Sequence, residues 1–157
     1  MSNVDGSSSS SECESRREWF WKAEEQARGI GSHILSEQAC ALTIDLEIAF
    51  RSGAWVAVIV LAMAAIDAVL RELEIPGHVG STKALIDDVS SHLRVGGAAL
   101  RGRLHVLRIR RNALLHLDPA SPEMTVDRRW DQEASLEEEA REAIRLVFEV
   151  FYMNPGT

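Results

Sequence analysis

Apolar residues recur every three or four positions over most of this chain, which is the period of a helix. Trp19, Ala23, Ala27 and Ile30 set the pattern, and Ile34, Leu35, Ala39, Leu42, Leu46 and Ala49 continue it, so a helical segment is predicted from about Glu14 to Phe50. Gly29 and Gly31 interrupt the segment. Each costs on the order of 1 kcal/mol inside a helix, so a kink there, or two helices, is expected. Ser52-Gly53 closes it. Ala54–Glu74 is apolar on nearly every face, as a central bundle helix is, and Pro76-Gly77 ends it. Ser81-Thr82 can cap a short helix to about Leu93, and Gly96-Gly97 reads as a turn. A further helix is predicted from Ala98 to Leu117, stopped by Asp118-Pro119 because the residue before proline avoids helical angles. Residues 119–134, with Pro119, Pro122 and Trp130, read as a loop. The last helix is predicted to open at Ser135, with Glu138 three residues on as a capping box. It runs to about Tyr152, before Asn154-Pro155-Gly156.

These segments predict an all-α fold, an up-down four-helix bundle with one short extra helix. At 157 residues the chain makes one domain with one core. Ala, Leu, Glu and Arg dominate, and the strand-favouring runs of Val, Ile, Thr and Tyr are missing. The domain is placed at 16–152. Residues 1–15 are expected to be a disordered polar tail, since Ser7–Ser11 offers nothing to bury, and 153–157 a short second tail. The uncharged run Ala54–Ile66 is followed closely by Asp67 and Arg71. A bilayer needs about 20 apolar residues, so a buried helix is expected and no membrane partner. Cys13 and Cys40 are distant in sequence and suggest neither a disulfide framework nor a zinc site. With no signal peptide in the polar start, a cytoplasmic location is expected.

Charge changes the picture in one place. Between Asp88 and Asp118 there is no acidic residue, yet Arg94, Arg101, Arg103, Arg108, Arg110, Arg111, His92, His105 and His116 all lie there. The whole chain carries a formal charge of -7, so the remainder sums to about -13. Successive residues of a helix turn by about 100°. Arg101, His105, Arg108, Asn112 and His116 therefore share one stripe, with Arg111 flanking it. Arg103 and Arg110 fall in the opposite, apolar arc, where they are expected to reach past the bundle edge or towards a second subunit. Phosphate suits the stripe, because arginine presents a fixed fork of donors to its oxygens. The plain alternative is a solvated helix face, although such faces usually mix the two signs. Net acidity argues against non-specific binding to duplex nucleic acid but leaves room for a small basic site.

His116 sits in the last helical turn, where the dipole favours a protonated imidazole, and histidine titrates in the range that acid–base work needs. Asn112, one turn earlier, can orient it, and Arg111 can hold a phosphate or a developing negative charge. The other reading of His116 is structural. Asp67 is the one charge in the apolar segment before Arg71. It reads equally as a partner for the basic helix or as a polar spot at the bundle end. His33, His78 and His92 share no metal-ligand spacing, and no phosphate loop, dinucleotide motif or nucleophile elbow is present. No metal or cofactor is expected.

An Arg-Asn pair, three residues and a His, late in a helix of an all-α domain, resembles the HEPN superfamily (higher eukaryotes and prokaryotes nucleotide-binding). The residues are Arg111, Asn112 and His116, and the apolar helix with Asp67 adds to the likeness. The resemblance covers about 16–152. It implies a metal-independent endoribonuclease, working as a homodimer with the two Arg/His sets facing one another across a composite site. His116 would move the proton, Arg111 would stabilise the phosphorane-like charge and Asn112 would position the groups. Arg101, His105 and Arg108 would bind RNA phosphates, and Asp67 would support the site. It also implies a toxin of a toxin–antitoxin pair, or a phage-defence component, with an antitoxin or a nucleotidyltransferase-like partner. Some members carry a Tyr two residues after the His, where a partner adenylylates them. Asp118 stands there in this chain, which does not support that regulation. The family also holds inactive members, so a non-catalytic nucleotide- or RNA-binding module, or a structural interaction module, is the alternative.

Overall fold

The computed structural model describes residues 5–29, 37–72, 80–92, 97–116 and 125–153. These form an all-α helical bundle: α1 (Asp5–Ala27), α2 (Glu37–Arg51), α3 (Trp55–Glu72), α4 (Thr82–His92), α5 (Gly97–Leu115), α6 (Val126–Asp131) and α7 (Glu133–Phe151). The expected breaks at Gly31, Pro76-Gly77, Gly96, Asp118-Pro119 and Asn154-Pro155-Gly156 lie outside the described residues, as do Arg94, His33, His78, Leu117 and the side chain of His92. No helix among the described residues is long and apolar enough to cross a membrane.

α3 is the axis of the molecule. Ten of its residues are buried, among them Trp55, Ile59, Met63, Ile66 and Leu70, as its all-round apolar sequence predicts. α2 and α7 pack along it most extensively, and α1 closes the bundle against α2 and α7. α4 and α5 pack on each other and lie together against α3. The aromatic rings cluster where α1, α2, α3 and α7 meet: Phe50 lies 5.1 Å from Trp19 and 5.5 Å from Trp55, and Phe20 lies 5.2 Å from Phe148. Such pairs add about 0.5–1.5 kcal/mol beyond the area they bury.

The reversal between α2 and α3 is the one expected at Ser52-Gly53. Gly53 has φ +74°, the left-handed conformation that favours glycine. The Ala54 amide donates to the Ala49 carbonyl at 2.9 Å and the Gly53 amide to that of Phe50 at 3.1 Å, closing α2 with a Schellman motif. A Cβ at Gly53 would lie 3.3 Å from the Arg16 guanidinium, a contact that the flexible arginine can relieve, so the positive φ is what favours glycine here.

Three expectations are corrected. First, α1 begins at Asp5, inside the stretch expected to be a disordered tail. Arg16 stacks over the Trp55 ring at 4.9 Å and donates to the Arg51 carbonyl at 3.4 Å. That anchor holds the helix, and serine weakens a helix by only some tenths of a kcal/mol per residue, so the serine run extends it. At the other end, Met153, placed in the terminal tail, is buried in the core. Second, the expected loop contains α6, capped by Thr125, whose hydroxyl accepts from the Arg128 amide at 3.2 Å. Third, α7 starts at Glu133 and not at Ser135, and the Ser135/Glu138 capping box does not form. Glu133 accepts from the Trp55 indole at 2.7 Å and pairs with Arg129 of α6. These contacts fix the earlier start, and Ser135 sits inside the helix with its hydroxyl on Glu139.

Candidate functional site

The basic segment folds as one helix, α5, and its two sides have different partners. Arg103 donates to Glu142 at 2.7 Å and to Glu149 at 2.6 Å. Arg110 donates to Glu139 at 2.6 Å. Both reach α7 within the same chain. The register also shows direction: moving up α5 from Arg103 to Arg110 moves down α7 from Glu149 to Glu139. The helices are antiparallel, and the His116 end of α5 lies at the Glu133 end of α7.

The stripe lies on the opposite side, and it is not free of acid. Asp87 of α4 meets its N-terminal half: Arg101 donates to Oδ1 at 2.5 Å, and His105 Nε2 lies 2.9 Å from the same oxygen. Lys83 adds a contact at 2.9 Å to Oδ2. Together Lys83, His105 and Arg101 hold the Asp87 carboxyl well below the usual carboxylate range. Arg101 and His105, expected to bind phosphate, are therefore already occupied by a carboxylate that a scan along the chain cannot bring near them.

Among the described residues the C-terminal half of the stripe has no such partner. Arg108 is half-buried, and its Nε is buried without a hydrogen bond. Arg111 donates through Nη1 to the Asn112 carbonyl oxygen at 2.9 Å and meets no carboxylate among the described residues. Asn112 is half-buried, and its backbone carbonyl accepts from the His116 amide at 2.9 Å. His116 is exposed at the helix end. Arg108, Arg111, Asn112 and His116 thus lie within little more than two turns of α5, with Arg111 and Asn112 in contact. Two cations three residues apart on a helix repel each other by some tenths of a kcal/mol when no counter-charge sits between them. A buried guanidinium nitrogen without an acceptor costs about 1–3 kcal/mol.

Asp67 does not join this group. Its carboxylate accepts from Arg71 at 2.6 Å and from the Thr82 hydroxyl at 2.8 Å. It ties the end of α3 to the start of α4 and so sets the place of α4, on which Asp87 rides. A groove of about 780 Å³ opens on the α7 side of α5 between Val106, Leu107, Ala143 and Leu146. Its surface is mostly apolar, with Arg103, Arg110 and Glu139 along it, and none of the stripe residues lines it. Nothing local marks Asp87 as a partner beyond its place in a capped helix. The Thr125 cap of α6 was detectable, because Thr precedes Asp127 and a short run free of proline. Compared with protein-family models, with curated proteins and with solved structures, the chain matches none.

Proposed function

We propose that this chain is a HEPN-like, metal-independent endoribonuclease whose site is the C-terminal half of the α5 stripe. The observation that carries the reading is the pairing of cations on α5. Arg101, Arg103 and Arg110 each hold a carboxylate, whereas Arg108 and Arg111 hold none among the described residues and stand beside Asn112 and His116. Two guanidiniums that no carboxylate among the described residues balances are available to an external anion. A phosphodiester supplies one, with oxygens matched to the arginine fork.

In the reaction the 2′-hydroxyl oxygen attacks the adjacent phosphorus and its proton passes to a base. The 2′-O–P bond forms, the P–5′-O bond breaks, and the 5′-oxygen gains a proton. His116 moves the proton, Arg111 stabilises the charge on the five-coordinate phosphorus, and Asn112 holds Arg111 through its carbonyl while its amide nitrogen points a donor at the substrate. Arg108 binds a flanking phosphate. A second copy brings another Arg/His set to the same cleft, and RNA is the substrate. The setting is that of a toxin–antitoxin or phage-defence component, with an antitoxin-like partner. The experiment is end-group analysis of RNA incubated with the protein: 2′,3′-cyclic phosphate and 5′-hydroxyl ends support the reading, and 3′-hydroxyl with 5′-phosphate ends contradict it.

The alternative is a non-catalytic RNA- or nucleotide-binding module. One observation favours it: His116 has no side-chain partner among the described residues that would serve as a second acid or base. RNA bound by the protein and recovered intact would select this alternative.

A further inference from the structure

Arg101 and Arg108 stand on one stripe of α5, about 10 Å apart along the helix axis, and Asp87 separates their fates. Its Oδ1 accepts from Arg101 Nε at 2.9 Å and Nη2 at 2.5 Å, and His105 Nε2 lies 2.9 Å from the same oxygen. Lys83 donates to Oδ2 at 2.9 Å. The carboxylate is also fixed in place. Leu85 and Ile86, just before it on α4, are buried in the core, and the Thr82 hydroxyl ties the start of α4 to Asp67 of α3. Arg108 and Arg111 meet no carboxylate among the described residues.

A phosphate that took Arg101 would displace this carboxylate and then lie beside it. Like charges set against each other are costly, and the anchoring of α4 keeps Asp87 next to any phosphate that enters. The part of α5 open to RNA phosphates therefore runs only from Arg108 to the helix end at His116, about 12 Å of rise. We propose that Asp87 sets the footprint of RNA on this protein: it ends the phosphate track at Arg108 and confines backbone contact to the phosphates that Arg108 and Arg111 reach.

The consequence is specificity. A track that ran on through His105 and Arg101 would gain affinity from every further phosphate, whatever the sequence. Ending it at Asp87 removes that gain and leaves selection to the nucleotides beside His116. The proposal rests on the ribonuclease reading for its ligand, and adds to it a specificity-determining residue that itself holds no RNA.

The test is fluorescence anisotropy of the full chain with 2′-O-methyl oligoribonucleotides of increasing length, which lack the attacking hydroxyl and stay intact. Wild-type affinity is expected to level off at a short length. In Asp87→Asn it should keep rising over longer oligonucleotides, and the salt dependence of log Kd should steepen by about 0.7 for each phosphate added. Arg101→Ala should leave wild-type binding unchanged, because that guanidinium is already held, yet cancel the gain in the Asp87→Asn background. Asp45→Asn, the same charge change on the exposed side of α2, should show no gain with length. One length dependence shared by wild type and Asp87→Asn overturns the proposal. So does weaker binding by Arg101→Ala alone, a result that does not require Asp87→Asn to fold. Cleavage of unmodified RNA is scored separately. Intact RNA with the expected length dependence overturns the ribonuclease reading and leaves Asp87 its role in binding, whereas cleavage without it overturns the proposal alone. A wild type that binds no oligonucleotide overturns both.

Discussion

The two sides of α5 carry the same residue type and put it to different uses. On the α7 side, Arg103 and Arg110 are matched by Glu142, Glu149 and Glu139. Their charge is spent inside the molecule, fixing the antiparallel register of two helices that otherwise touch little and leave an apolar groove between them. On the other side, Asp87 takes Arg101 and His105, and beyond its reach Arg108 and Arg111 meet no carboxylate among the described residues. The lesson is that a count of arginines along a helix says little about an anion site. What matters is which guanidiniums the fold has left without a counter-charge.

Substitutions on each side of α5 test this division of its arginines. The largest effect is expected at Arg111. Arg111→Ala should lower RNA cleavage on the order of 10²–10³-fold, and Arg111→Lys should recover only part of it, because a point charge does not reproduce the fork. Single-turnover rates check this. Next is Arg108→Met, which should weaken RNA binding about tenfold and lower the salt slope by about 1. Because it removes a buried nitrogen with no acceptor, it should leave stability equal or higher by up to about 1 kcal/mol. Arg103→Ala is the opposite case. It should leave RNA binding unchanged and cost about 1 kcal/mol or less, since the pair is well exposed to solvent. That corresponds to a fall of about 2–4 °C in Tm for a chain of this size. If the two variants exchanged phenotypes, the division of α5 into two sides would be wrong.

Asp87 allows a smaller and more specific test. Its folded-state carboxyl is held below the ordinary range by Lys83, His105 and Arg101. The stabilisation it gives is therefore complete above about pH 4 and is lost as pH falls further. Denaturation curves of Asp87→Asn should be flatter than wild type over that acid range. The same substitution releases Arg101 and His105, so RNA affinity at neutral pH should rise by a few-fold. Unchanged affinity would mean that the N-terminal half of the stripe never contributes, with or without its acid.

Much of the fold was legible because period and punctuation agreed. The all-round apolar sequence of α3 placed it at the centre, and Ser52-Gly53 marked a turn whose glycine is required by its φ. Elements set by long-range contacts were not legible. α1 reaches back to Asp5 because Arg16 packs on Trp55, and α7 begins at Glu133 because Trp55 and Arg129 hold that carboxylate. The same division runs through the site. Arg108, Asn112 and His116 share a face by helical geometry alone, and Arg111 adjoins them. The fate of Arg101, Arg103, His105 and Arg110 depended on acids 14 to 46 residues away, and Asp67 proved to serve α4 and not α5. Spacing along one helix is local information, and counter-charges arrive through the tertiary fold.

Wild type and His116→Ala incubated with RNA in excess EDTA, with cleavage rates measured side by side, decide whether the C-terminal end of the α5 stripe cleaves RNA without a metal. Cleavage by the wild type is expected, with a loss on the order of 10²-fold or more in the variant at intact helicity. Equal rates in the two proteins, or no cleavage by the wild type, would contradict that expectation.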